Sequence, residues 1–284
     1  MAKIAFPLAV SAVLLSSVCA APVWALSAVT YVSGKGADTG ACATPATACR
    51  TFQFAVAQTA PGGEVTALDP ANYGPVTISK SISIEGVDGA TIADIPSGGN
   101  GVTINAGPKD TINISRLAID GEKRGQAGIS FSPTGAGSFG SLTVAHSAVR
   151  NFCDGIDILG GASNLVKSVF LIKDVVVSDN NAIGLDLVGA PGTLDHVTVI
   201  HNGGGSAKCG TGSGSIRAAQ GVAVVSIVDS TVANNSAPID SEDGATIRLY
   251  LSFIPDGVGL AGGTAVSAGN NFIPRAELTE VGTH

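Results

Sequence analysis

The sequence predicts a right-handed parallel β-helix, a chain of short strands coiled around one axis, preceded by a leader and a small cap. Three observations lead there. Glycine is abundant at 38 residues, aromatic residues are only 5% and charged residues only 13%, about half the charge of an ordinary globular domain. The apolar residues come in short bursts of Val, Ile, Leu and Ala, cut by Gly, Asn, Asp and Ser, which is the pattern of short strands and tight turns. Finally, one motif recurs six times at intervals of 22 to 33 residues, the signature of a stacked repeat.

The motif is anchored on Ile119, Val149, Val177, Val199, Val232 and Ile254. Five residues before each anchor stands Ile114, Val144, Ile172, Leu194, Ile227 or Leu249. Seven before stands Ile112, Leu142, Phe170, Gly192, Val225 or Ile247. Apolar residues at alternate positions place one side of a strand inside. The period of two excludes helical repeats, and no regular Leu/Asn consensus supports a leucine-rich repeat. Polar turns follow the anchors: Arg150-Asn151, Asp179-Asn180, His201-Asn202 and Asn234-Asn235. Asn tolerates left-handed backbone there, and stacked Asn side chains can hydrogen-bond along the axis. A second strand, opened by glycine, follows in Gly101–Ile104, Gly128–Phe131, Gly155–Ile158 and Gly184–Leu187. Such units cannot bury their faces alone and must stack on neighbours.

The chain divides into three expected parts. Residues 1–25 read as a signal peptide: Lys3, then an apolar run from Ile4, then Val23-Trp24-Ala25 with cutting after Ala25. Cys19 follows Val18 rather than the small residue a lipid-anchor motif wants, which favours soluble secretion. Residues 26–62 read as an N-terminal cap: a strand at Val29–Val32, a loop to Cys49, and a helix from Phe52 to about Thr59 capped by Thr51 and ended by Pro61-Gly62-Gly63. Residues 63–284 read as the β-helix, whose open end needs such a cap. The tail around Asn270–Pro274 is expected to close the other end.

Net charge is −7, or −8 once Lys3 is removed. No basic run offsets it, so no nucleic-acid partner is expected. No second apolar run is long enough to span a bilayer. Secretion permits disulfides. Cys42 and Cys49, seven apart in one loop, are expected to bridge. Cys153 and Cys209 lie two coils apart, about 10 Å by the rung spacing, against the roughly 7 Å limit for a bridge. Only a fold-back of the Gly203–Gly214 loop closes that gap.

The chemistry candidates come from the register. The outward position of the second strand reads Thr103, Ser130, Asp157 and Asp186 in successive coils, and Arg217 and Asp240 fit the same slot in the next two. Carboxylates about 5 Å apart repel, so they share a cation or a proton, or one of them has its pKa raised. A retaining glycosidase pair needs a similar separation. Alternatively the column is a solvated ladder whose charges cancel, worth little at the surface. His146, His196 and His201 fall at turn or surface positions. No spacing suggests zinc, no G-x-S-x-G elbow is present, and the glycine clusters lack the context of a phosphate loop.

The segment Tyr31-Val32-Ser33 through Arg50-Thr51-Phe52, then Gly62-Gly63-Glu64-Val65, then Tyr73-Gly74-Pro75-Val76-Thr77-Ile78 resembles the N-terminal region of secreted pectin-lyase-like β-helix proteins. In them a short strand, a Gly/Asp loop, an amphipathic helix and a first coil occur in that order. The resemblance implies the fold and a polysaccharide partner. It does not choose among lyases, hydrolases, epimerases, tailspikes and inactive members. Asp154-Gly155-Ile156-Asp157-Ile158 is similar to one polygalacturonase motif, but Phe152-Cys153 stand where that family has Asn-Thr. Its paired Asp-Asp, Gly-His-Gly and Arg-Ile-Lys do not occur, so the carry-over stops at Asp157. In the lyase style of this fold, Ca²⁺ on Asp157 and Asp186 would hold an acidic sugar and Arg217 would abstract a proton. Few aromatic residues and incomplete catalytic motifs favour a non-catalytic carbohydrate-binding or envelope structural role. The alternative is a uronate lyase or glycoside hydrolase using Asp157, Asp186, Arg217 and Asp240.

Overall fold

The computed structural model describes residues 26–107, 109–132, 140–160, 169–205, 209, 214–220, 223–273 and 279–280. The expected signal peptide, residues 1–25, lies outside the described residues, as does Pro274 of the expected tail closure. Every sheet pairing between the named strands is parallel, so the chain is a right-handed parallel β-helix. One sheet of eleven strands runs from Ser27–Val32 to Thr279–Glu280, and a second of twelve forms the other two faces.

The repeat follows from burial. The anchors pair in register, Ile119 with Val149, Val149 with Val177, Val177 with Val199 and Val199 with Val232. All are fully buried, as is Ile254. The residues five and seven positions earlier pair likewise on the first sheet. Gly192, the exception in its column, has a physical reason. A Cβ there would lie 2.5 Å from ring carbons of Phe170 on the preceding rung, so the ring fills the space a side chain would take.

The turns differ in one detail from the sequence reading. The left-handed residue after the anchor is Asn151 in the first coil, but Asp179, His201 and Asn234 in the next three. The following Asn180, Asn202 and Asn235 do the stacking instead. Asn180 Nδ2 donates to Asn202 Oδ1 at 2.9 Å, and Asn202 Nδ2 donates to Asn235 Oδ1 at 3.0 Å. Asp256 ends the ladder, accepting from the Asn235 backbone N–H at 2.9 Å. The residue before the stacked Asn takes the strained backbone so that the Asn can turn its amide inward. Asn180 and Asn202 are buried, so these bonds answer the cost of burying an amide.

The cap is joined to the coil more closely than expected. The strand Ser27–Val32 is the first rung of the first sheet, paired with Thr59–Ala67. The helix runs Phe52–Gln58, its N-cap Thr51 accepting from the Phe54 backbone N–H. It passes directly into the next strand at Thr59, so Pro61-Gly62-Gly63 lie within that strand rather than ending the helix. Phe52, Ala55 and Val56 bury the helix against the end of the core. At the far end, Asn271 donates to the Leu249 carbonyl at 2.9 Å and Phe272 bridges Phe253, extending the stack by one rung.

Cys42 and Cys49 are bridged, with Cα atoms 5.3 Å apart, and so are Cys153 and Cys209, at 5.1 Å. The second distance places Cys209 back beside Cys153, as the expected fold-back requires. Gly203 and Gly205 donate backbone N–H groups to the Asn180 and Asn181 carbonyls of the preceding coil at 2.8 and 2.7 Å.

Candidate carboxylate and arginine site

The third face is built from strands that each follow the Asn turn. Asp157 pairs with Ser130 on one side and Asp186 on the other; Asp186 pairs with Arg217, and Arg217 with Asp240. The glycines two residues before Asp157 and Asp186, Gly155 and Gly184, are required locally. A Cβ on Gly184 would lie 2.5 Å from the Ser215 carbonyl oxygen and 3.0 Å from Asn202 Nδ2. The turn therefore packs directly onto the backbone, and the aspartate two residues later emerges at a fixed height.

Register places Asp157, Asp186, Arg217 and Asp240 in one file, but they do not interact equally. Arg217 donates from Nε to Asp186 Oδ1 at 2.9 Å and from Nη2 to Asp186 Oδ2 at 2.8 Å, a bidentate pair. Its remaining nitrogen reaches Glu242 at 3.5 Å. Asp240 lies apart from this clamp and leans over the next rung, where a Cβ on Gly259 would be 2.6 Å from Asp240 Oδ1. The Asp186 side chain keeps only 15% exposure and Arg217 36%.

Asp157 is the perturbed group. Burial pushes its carboxyl up to about 7, helped by the negative charges of Asp186 and Asp154 and opposed by Arg217. Its Oδ1 is buried and has no hydrogen-bond partner among the described residues. Asp154 is also raised by burial, although it accepts from the Ile183 backbone N–H. Gln126 donates to Asp154 at 3.2 Å. Burial and the Glu242 charge raise Asp240. Arg217 is held still more firmly protonated, chiefly by its bond to Asp186. Asp154 is the site residue that the outward register misses. It stands three residues before Asp157, where the chain leaves the turn, and no period-two count reaches it.

Calcium does not fit the Asp157–Asp186 pair. Both Asp186 oxygens already accept from Arg217, so a cation would have to displace a guanidinium. Among the described residues no group of three or more His, Cys, Asp or Glu side chains is placed to hold a metal ion. Nor is Arg217 arranged as a base, since its charged form is the one the clamp stabilises.

Residues 66–200 match the family described as "Domain of unknown function (DUF4957)". The match covers Asp157 and Asp186 and stops before Arg217. Comparison with curated protein sequences finds no match. Among solved structures the chain is similar to the crystal structure of pectate lyase Pel9A, with 13% identity and a TM-score of 0.49, over 88% of this chain and 78% of that one. Among the described residues no helix is long and apolar enough to cross a membrane.

Proposed function

We propose that this chain is a secreted, non-catalytic carbohydrate-binding β-helix, and that the face bearing Asp157, Asp186, Arg217 and Asp240 is a contact surface for polysaccharide. One observation carries the reading. The file continues unbroken from Thr77 through Thr103 and Ser130 to the carboxylates, so hydroxyls and charged groups recur at about 4.8 Å per rung. The Asp186–Arg217 clamp fixes two of those groups for hydrogen bonding and removes the free base an eliminase would use. Two disulfides accord with an oxidising, extracellular setting. Isothermal titration against a panel of soluble neutral and uronate polysaccharides tests the proposal, with Asp186→Asn alongside. Binding weakened at least fivefold in the variant supports it, and unaltered binding removes the ladder from the contact surface.

A second reading, a glycoside hydrolase, is favoured by one specific feature. The Asp157 carboxyl is pushed up to about 7, so that a share of it keeps its proton near neutral pH, and its Oδ1 has no partner among the described residues, as suits a general acid.

A further inference from the structure

We propose that the second face of the β-helix is a separate binding track for a linear, uncharged polysaccharide. This extends the carbohydrate-binding reading to a surface that shares no residue with the carboxylate ladder.

The floor of the track is a file of outward residues paired rung by rung: Ala148, Val176, Thr198, Thr231, Phe253 and Phe272. None carries a charge, and the larger ones stand in solvent. Val176 is 41% exposed, Phe253 46% and Phe272 54%. The two phenyl rings lie 5.1 Å apart and nearly parallel, forming an apolar shelf at one end. Half-exposed Thr198 and Thr231 separate Val176 from the rings, and the exposed apolar surface gathered at the phenyl end marks a contact surface.

The rim comes from backbone geometry. Two residues before Ala118, Ala148, Val176, Thr198, Thr231 and Phe253 the chain turns with positive φ, at Arg116, His146, Asp174, His196, Asp229 and Leu251 (57°, 46°, 53°, 54°, 47° and 50°). At the other end of the track from the phenyl pair, rim and floor meet in one concavity. Arg116, His146 and Asp174 line a solvent-open cavity of about 480 Å³ with Ala118 and Ala148, within the range of small-molecule sites. From Arg116 to Asp229 the rim groups are planar and alternate in kind (guanidinium, imidazole, carboxylate, imidazole, carboxylate), and exposed Leu251 continues the rim beside the phenyl pair. His146 Nδ1 lies 3.5 Å from Asp174, and His196 Nε2 lies 3.8 Å from Asp229.

The charge pattern selects the occupant. The rim interleaves both signs, so it presents donors and acceptors without a field of one sign. A polyanion meets Asp174 and Asp229, and a polycation meets Arg116. A neutral chain of sugars matches both layers. Its hydroxyls donate and accept along the rim, and the C–H faces of its rings lie on the floor and the phenyl shelf.

Isothermal titration of the full chain with cellohexaose, xylohexaose and hexagalacturonate tests this. The expected result is binding of a neutral hexaose and not of hexagalacturonate. The affinity should fall at least fivefold in the Phe253→Ala/Phe272→Ala double variant and in His146→Ala, and stay unchanged in Arg248→Ala on the first sheet. Saturation-transfer NMR on the wild type provides a readout free of substitutions, with ring protons of Phe253 and Phe272 expected to transfer to the sugar. Loss of binding confined to Asp186→Asn would assign the sugar to the ladder and overturn the track while leaving the proposed function standing. Absence of binding by both neutral hexaoses, or preference for hexagalacturonate, would also overturn it.

Discussion

Replacing Asp157 with Asn should change how stability depends on pH. In the folded protein the carboxyl of Asp157 is pushed from 3.8 to about 7, first by burial and then by Asp186 and Asp154. A folded value above the unfolded one means that the folded state binds the proton more tightly. The stability this provides is complete below about pH 4 and is lost as pH rises toward 7. At 1.36 kcal/mol per unit the shift corresponds to about 4 kcal/mol, which partial exposure of the carboxylate screens to about 2 kcal/mol. Asn keeps the shape and never ionises. Urea unfolding of wild type and Asp157→Asn from pH 4 to 9 should therefore give profiles that diverge between pH 4 and 7. The variant should be more stable by about 2 kcal/mol above pH 8. Parallel profiles across that window would refute the reasoning, because they would mean that Asp157 ionises as freely in the folded chain as in the unfolded one.

Other outcomes follow from the same structure. Arg217→Gln removes the positive charge that opposes the shift, so the Asp157 carboxyl should titrate at higher pH by ¹³C NMR than in wild type. Asn202→Ala removes a buried amide that bonds Asn180 and Asn235, and should cost about 2 to 3 kcal/mol in chemical unfolding. Opening Cys153–Cys209 by double Ser substitution releases a loop spanning 56 residues, against 7 for Cys42–Cys49. The chain-entropy costs are about 4 and about 2.5 kcal/mol, so melting should fall further for the first pair.

The coil is legible in the sequence because burial imposes the same demand on every rung. Ile119, Val149, Val177, Val199 and Val232 all point inward, and a one-residue slip would turn them to water. The same register leads from Asp157 to Asp240. Which neighbour Arg217 takes is not legible, since Asp186 and Asp240 flank it equally in register. The choice rests on the lean of Asp240 over Gly259, where the absence of a side chain makes room. The Cys153–Cys209 bridge is not legible either, because register alone puts the two cysteines two coils apart and does not say that their Cα atoms come to 5.1 Å. The division of labour in the turns was also hidden. Asp179, His201 and Asn234 take the left-handed backbone that Asn180, Asn202 and Asn235 were equally suited to adopt, and only the ladder geometry separates them.

The non-catalytic reading is tested most directly by looking for product. Purified protein should be incubated with neutral and uronate polysaccharides, with reducing ends and ultraviolet-absorbing unsaturated ends followed together and Asp157→Asn and Asp186→Asn run alongside. A polymer shown to bind should be recovered intact, with neither signal above the blank. Product that accumulates with wild type and disappears in Asp157→Asn would contradict it and identify the carboxylate face as an active site.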